Sequence, residues 1–263
     1  MDDAYKVPRD FAIWNQISFN AGLLEENIKR IYDLPRGEIS NYISLVGVPA
    51  LVDAQHDEKL AEIYNASTMV VVDGMPIVER ARKLGLKCDR FSGPDFIEVF
   101  LRYGIDKGAR HFFYGCTDEV LEKLKEQIDE KIPGTIVCGT YAPPFRELTE
   151  EEDKEVVKLI QDAKPDFLWV GLGGKKQEKW MYDHQRKIKN TTMLGVGAAF
   201  NYLAGTLHEM PDWMEKHSLG WLARLVIEPK RLWRRYVIGG IFYIKYNRKY
   251  SGNGKYRDRI ITM

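Results

Sequence analysis

The sequence predicts an α/β fold: a mostly parallel, Rossmann-like sheet with helices on both faces. Three observations predict it. Short apolar runs alternate with amphipathic stretches from residue 42 to about 197, several of those runs are continuous rather than alternating in polarity, and glycines follow directly after them. Strand–helix alternation implies βαβ units, because parallel neighbours need a crossover long enough to hold a helix. Continuous apolar runs such as 68–72 suit strands buried on both faces.

Taken in order, strands are expected at 42–48, 68–72, 109–114, 135–139, 166–171 and 192–197. Helices are expected at 50–64, 94–103, 118–132, 149–163 and 177–185. Residues 1–40, punctuated by Pro8, Gly22, Pro35 and Gly37, are expected to form short helices ahead of the core. From about Ser218 the text turns rich in Trp and Arg. The expected division is therefore an N-terminal segment at 1–40, an α/β core at 41–217 and a basic C-terminal appendage at 218–263.

Composition narrows the function classes. A chain of 263 residues, 44% hydrophobic and 29% charged, is long enough for one large core and is neither disordered nor fibrous. A net charge of +1 announces no nucleic acid partner. Cys88, Cys116 and Cys138 show neither CxxC spacing nor a paired histidine cluster, which points to reduced core thiols in a cytosolic compartment. No secretory signal is visible, and no apolar run approaches the roughly 20 residues of a spanning helix, so any membrane role is expected to be peripheral.

In a parallel sheet, ligands gather outside the carboxyl ends of the strands. Four of these exits carry glycine: Asp73-Gly74-Met75-Pro76, Gly115, Gly171-Leu172-Gly173-Gly174 and Gly195-Val196-Gly197. Singly, such a glycine marks a tight turn; together they suit a phosphate-bearing ligand approached by bare backbone. The run Gly171–Gly174 followed by Lys175, Lys176 and Gln177 at a helix start suits a diphosphate. Asp73, between a strand and a turn, is the candidate general base, with an Asx turn as its ordinary structural role. Asp95 in Ser92-Gly93-Pro94-Asp95 reads as a helix cap, and Arg90 as a partner for phosphate or for an acid.

Other chemistries lack support. Neither Gly171-Leu172-Gly173 nor Gly195-Val196-Gly197 completes a dinucleotide fingerprint, since Lys176 and Phe200 stand at the third position. The chain has no Walker loop and no Gly-x-Ser-x-Gly elbow. With no Asp-x-Asp pair and five scattered histidines, no metal site and no cofactor are expected.

Several motifs in series carry a resemblance. They are Asp73-Gly74-Met75-Pro76, Gly93-Pro94-Asp95, Gly139-Thr140-Tyr141, Lys176-Gln177-Glu178-Lys179-Trp180, Gly195-Val196-Gly197-Ala198-Ala199-Phe200, Leu203-Ala204-Gly205, Pro211-x-Trp213-Met214 and Glu228-Pro229-x-Arg231-Leu232-Trp233-Arg234-Arg235-Tyr236. From residue 42 to 236 the chain resembles glycosyltransferase family 26, bacterial enzymes that build teichoic-acid linkage units, enterobacterial common antigen and exopolysaccharides. The resemblance implies an inverting, metal-independent transfer from a UDP-sugar to a polyprenyl-diphosphate-linked sugar on the cytoplasmic face of the membrane. It implies that Asp73 is the catalytic base, and that Gly74, Arg90, Gly93, Asp95, Gly115, Tyr141, Gly173, Lys176, Gln177, Gly197 and Asn201 line the substrate site. It further implies that Arg224, Arg231, Arg234 and Arg235 engage the lipid-linked acceptor and an anionic membrane surface. A homo-oligomer is compatible with it.

Departures from the family pattern leave the donor sugar open. Leu45-Val46-Gly47 replaces the usual Thr-x-Asn and is similar to an exopolysaccharide branch, Lys175 replaces a proline, and Asn201 replaces an aspartate. Ser218 and Gly220 replace a glycine and a glutamate. The competing readings are a nucleotide-sugar-binding scaffold without turnover and a nucleic-acid module using the basic tail; retention of Asp73 opposes the first and the absence of any nucleic-acid motif opposes the second.

Overall fold

The computed structural model describes residues 4–14, 16–207, 237–251 and 258–261, together with Leu222, Leu225, Lys230 and Trp233. Its centre is a six-stranded, all-parallel sheet formed by β3 (Asn41–Val46), β4 (Met69–Val72), β5 (Arg110–Gly115), β6 (Ile136–Tyr141), β7 (Phe167–Gly171) and β8 (Thr192–Gly195), in the spatial order β4-β3-β8-β7-β5-β6. The expected α/β class and parallel sheet are therefore present.

Burial follows the period-2 alternation of the strands. Ile43, Val71, Phe113, Trp169 and Leu194 meet α5 (Gly93–Gly104), α6 (Asp118–Lys131) and α9 (Ala199–Leu203) on one face. Tyr42, Phe112, Tyr114, Leu168, Val170 and Met193 meet α7 (Glu150–Ala163) and α8 (Gly174–His184) on the other. Trp169 is fully buried, with Phe100 edge-on at 5.1 Å and Phe113 stacked at 6.1 Å. This packing makes the central strands a rigid base for the loops that leave them.

Several elements differ from the sequence expectation, each for a local reason. The helix expected at 50–64 is two, α2 (Val48–Ala54) and α3 (Glu58–Ala66), because the Asp57 carboxylate accepts the Leu60 N–H at 3.0 Å and restarts the helix. Instead of short helices only, the N-terminal segment holds a hairpin, β1 (Phe11–Ile13) and β2 (Ile17–Phe19), before α1 (Leu24–Tyr32). Its strands are too short for their periodicity to register, yet Phe11, Ile13, Ile17 and Phe19 are fully buried. Helices α4 (Met75–Lys83) and α9 were not expected, and β8 ends at Gly195 rather than 197.

The chain's end returns to its beginning. Helix α10 (Gly239–Ser251) packs on α2, and β9 (Arg259–Ile260) pairs antiparallel with β1. Tyr243 and Tyr246 flank Trp14 at 5.5 and 5.4 Å, and Arg80 of α4 grips Asp258 with two nitrogens. Of the residues of this tail, Phe242, Tyr243 and Tyr246 thus face the core, whereas Ile241 and Ile244 are 61% and 53% exposed. Arg224, Arg231, Arg234 and Arg235 lie outside the described residues. Among the described residues, no helix is long and apolar enough to cross a membrane.

Candidate active site

The sheet order fixes where a ligand fits. From β5 the chain crosses outward to β6, whereas from β7 it crosses the opposite way to β8, so the connections diverge at the carboxyl ends of β5 and β7. Such a reversal opens a crevice between the departing loops. Its floor is backbone. A Cβ on Gly115 would stand 2.6 Å from the carbonyl carbon of Gly171, and one on Gly171 would stand 2.6 Å from the Phe200 ring and 3.3 Å from the Gly197 carbonyl oxygen. Gly173 approaches Gly197 next door, 3.9 Å from the position of its Cβ.

The row of strand exits continues across β8 and β3 to β4. The Asp73 N–H donates to the Val46 carbonyl (3.0 Å), and a Cβ on Gly47 would fall 2.4 Å from the Asp73 carbonyl oxygen. Phe91 donates its N–H to the Val72 carbonyl at 2.7 Å, which sets Arg90 beside Asp73 in half-buried positions. Gly93 closes the row against β8: its Cβ would meet Ala199 at 2.9 Å and the Val196 carbonyl at 3.5 Å.

Helix starts around this floor share one feature. Helices α2, α4, α5 and α8 are capped by Gly47, Gly74, Ser92 and Gly173, and none has a side-chain hydrogen bond at its cap. By contrast α3, α6 and α7 are capped by Asp57, Thr117 and Thr149 side chains. A helix start without a side-chain cap turns the positive end of the helix dipole toward an anion. Pro49, Pro76 and Pro94 take one N–H each from α2, α4 and α5, and the Ile77 N–H is bonded to the Gly74 carbonyl, whereas the first turn of α8 holds no proline. At α8 the turn needs left-handed backbone at Gly173 and Gly174 (φ 76° and 52°), which a side chain there would oppose. Lys176 is exposed on the first turn of α8, and Lys175 pairs with Asp57 at 3.6 Å.

Gln177 is buried, with both ends of its amide used by the protein. Its Oε1 accepts the Gly197 N–H at 2.9 Å and its Nε2 donates to Glu178 at 3.2 Å. The other oxygen of Glu178 accepts from the Ser44 hydroxyl at 2.5 Å. Burial pushes the Glu178 carboxyl up to about 7, against the opposing pull of those two hydrogen bonds. Ser44 was not singled out from the sequence, and Glu178 stood there only as part of the Lys176–Trp180 motif, with no role of its own.

The remaining expected residues divide. Asn201 donates to the Cys116 sulfur at 3.5 Å, which holds α9 over the β5 exit; burial first of all raises the Cys116 thiol. Asp95 is exposed on the first turn of α5. Tyr141 is set apart: it ends the edge strand β6, five strand positions from β4, or roughly 24 Å from Asp73 at strand spacing. Its ring stacks on Tyr114, which stacks on Trp180.

The model of the WecG/TagA/CpsF glycosyl transferase family matches residues 13–253. The chain belongs to this family. It is therefore a glycosyltransferase, and the bare strand exits and uncapped helices sit within the matched span. Among curated relatives, the N-acetylglucosaminyldiphosphoundecaprenol N-acetyl-beta-D-mannosaminyltransferase of Staphylococcus aureus (strain NCTC 8325 / PS 47) is 27% identical over 211 residues, covering 80% of each chain. The enzyme of the same description from strain MRSA252 is 26% identical over 211 residues with the same coverage. The Lys176-Gln177-Glu178 motif of this WecG/TagA/CpsF member owes its middle residue's position to the Gly197 N–H and its last residue's to Ser44.

Proposed function

We propose that this chain is an inverting, metal-independent transferase that moves N-acetylmannosamine or a related hexose from a UDP-sugar to a polyprenyl-diphosphate-linked acceptor. It does so at the cytoplasmic face of the cell membrane, in bacterial cell-surface polysaccharide synthesis such as teichoic-acid or exopolysaccharide assembly. The observation that carries this reading is the uncapped N-terminus of α8 over the glycine floor of Gly115, Gly171, Gly173 and Gly197. The acceptor class draws support from the activity named for the staphylococcal relatives.

In this reading the donor diphosphate lies over Gly173, Gly197 and the start of α8, with Lys176 beside it. The Asp73 carboxylate takes the proton of the acceptor hydroxyl as its oxygen attacks the anomeric carbon from the face opposite the leaving group. The bond to the UDP oxygen breaks, and the charge that develops there is stabilised by helix N–H groups already oriented toward it. Gly74 and Arg90 flank the base, and Gly93, Gly115 and Asn201 shape the cleft. Asp95 and Tyr141 stand at its margins. The arginines 224, 231, 234 and 235 meet the lipid diphosphate and, with the exposed Val237, Ile238, Ile241 and Ile244, an anionic bilayer.

A thermal-shift panel of UDP, UDP-sugars and other nucleoside diphosphates tests the donor assignment. At a hundredfold excess over Kd, UDP is expected to stabilise the fold by about 2.7 kcal/mol, and an equal response to ADP or GDP, or none to UDP, would overturn it.

A further inference from the structure

Glu178 is a buried carboxyl with no part in the chemistry just described. Among the described residues its carboxylate is hydrogen-bonded by Ser44 on β3 and by Gln177 on its own helix. The geometry leaves Gln177 one workable orientation. The Gly197 backbone nitrogen can only donate, so Oε1 of the amide must face it, and Nε2 must then point the other way. There is no slack on that side: a Cβ on Gly195 would stand 2.7 Å from Nε2 and 2.6 Å from Cε of Met181. Buried in this position, Nε2 needs an acceptor, and Glu178 Oε1 supplies it. Ser44, on the strand beside β8, fixes the second oxygen.

We infer that Glu178 is a positioning residue for the donor diphosphate: through Gln177 it holds the Gly197 N–H and the β8 exit loop in the conformation that receives the donor. This rests on the placement of the diphosphate over Gly173 and Gly197. Glu178 touches no substrate. It acts by leaving the Gln177 amide a single orientation, so that the Gly195–Gly197 backbone is set before the donor arrives. Pre-set donors lower the cost of ordering on binding and keep their alignment when charge develops on the leaving oxygen.

Two variants separate positioning from scaffolding. Glu178→Leu fills the volume but removes the acceptor, and it leaves the Gln177 amide N–H and the Ser44 hydroxyl unpaired, so some loss of stability is expected with it. Glu178→Gln keeps an oxygen for Gln177 and turns its amide nitrogen to the Ser44 hydroxyl, which is able to accept. Steady-state kinetics, UDP affinity and amide exchange of the segment 195–203 are measured on the full chain. Glu178→Leu is expected to raise the donor KM about tenfold, to speed exchange at Gly197 and to lower Tm by several degrees while the chain still folds, with the acceptor KM little changed. Glu178→Gln is expected to restore all of these to within about twofold. Should Glu178→Leu fail to fold, Ser44→Ala takes its place, with a smaller rise in donor KM expected, and no rise would overturn the inference. Wild-type donor KM and wild-type exchange in a folded Glu178→Leu would overturn it as well. A wild-type chain with no affinity for UDP would remove the donor reading instead, and exchange at Gly197 would then decide the positioning of the loop alone.

Discussion

Gly195 and Gln177 stand so close that a methyl group on the glycine would lie 2.7 Å from Nε2 of the amide. Strand β8 therefore ends in glycine because a buried side chain from α8 occupies the space a Cβ would take. Gly195→Ala is expected to destabilise the fold by about 1–3 kcal/mol, the usual range for overpacking a core, and to shift Gln177 off the Gly197 N–H. Urea unfolding gives the first effect and donor affinity the second; an alanine variant of native stability would show that the helix gives way freely.

Two buried groups set opposing slopes of stability against pH. The Glu178 carboxyl is raised from 4.5 to about 7 by burial, so the stability it allows is complete below pH 4.5 and is lost as pH rises through about 7. His111 is lowered from 6.5 to about 3 by burial, and it accepts the Trp169 indole N–H at 3.1 Å as a neutral ring. Its contribution is complete above pH 6.5 and is lost as pH falls toward 3. Between about pH 4.5 and 6.5 the two effects oppose each other. Glu178→Gln removes one of them, so its stability relative to wild type is expected to improve steadily from pH 4.5 to 7, by at most about 3 kcal/mol. A difference that does not change with pH across that window would contradict the assignment.

The tail offers a test that spares the core. A chain ending near Ser218 would lose α10 and β9, uncover Trp14 and take Asp258 from Arg80, so its loss of function would be ambiguous. Ile241 and Ile244 instead face away from the core on α10. The double change Ile241→Glu and Ile244→Glu is expected to leave Tm within a few degrees and to lower co-sedimentation with anionic vesicles at least tenfold, since two apolar contacts become like charges at an anionic surface. Tyr243→Ala, which removes the ring against Trp14, is expected to do the reverse: a destabilisation on the order of 1–3 kcal/mol with vesicle binding kept. Undiminished sedimentation of the glutamate pair would remove α10 from the membrane contact.

The parallel sheet was legible because its strands are continuous apolar runs separated by helices of clear period, and the strand exits at Gly74, Gly115, Gly173 and Gly197 were legible because glycine marks them. What escaped was short or long-range. Three-residue strands such as Phe11–Ile13 carry too few positions to show a period, and their partner, Arg259–Ile260, lies at the other end of the chain. Asp57 reads as one more polar residue of a helical stretch, and it is the bond of its carboxylate to the Leu60 N–H that restarts the helix there. Glu178 is paired with a serine 134 residues earlier, a contact that no local pattern encodes. The place of Tyr141 on the outermost strand is decided by sheet order, which spacing alone does not determine.

The most direct test of the central claim is transfer of labelled sugar from UDP-N-acetylmannosamine to a polyprenyl-diphosphate-linked N-acetylglucosamine by the full chain and by Asp73→Asn, both in EDTA. A base that acts on the acceptor hydroxyl contributes typically 10²–10⁴-fold, chiefly in the transition state. Transfer by the wild type in EDTA is expected, with a fall of about that size in kcat for Asp73→Asn and UDP affinity within about twofold. Transfer by Asp73→Asn at the wild-type rate would contradict the claim, as would wild-type activity that returned only when a divalent metal was added.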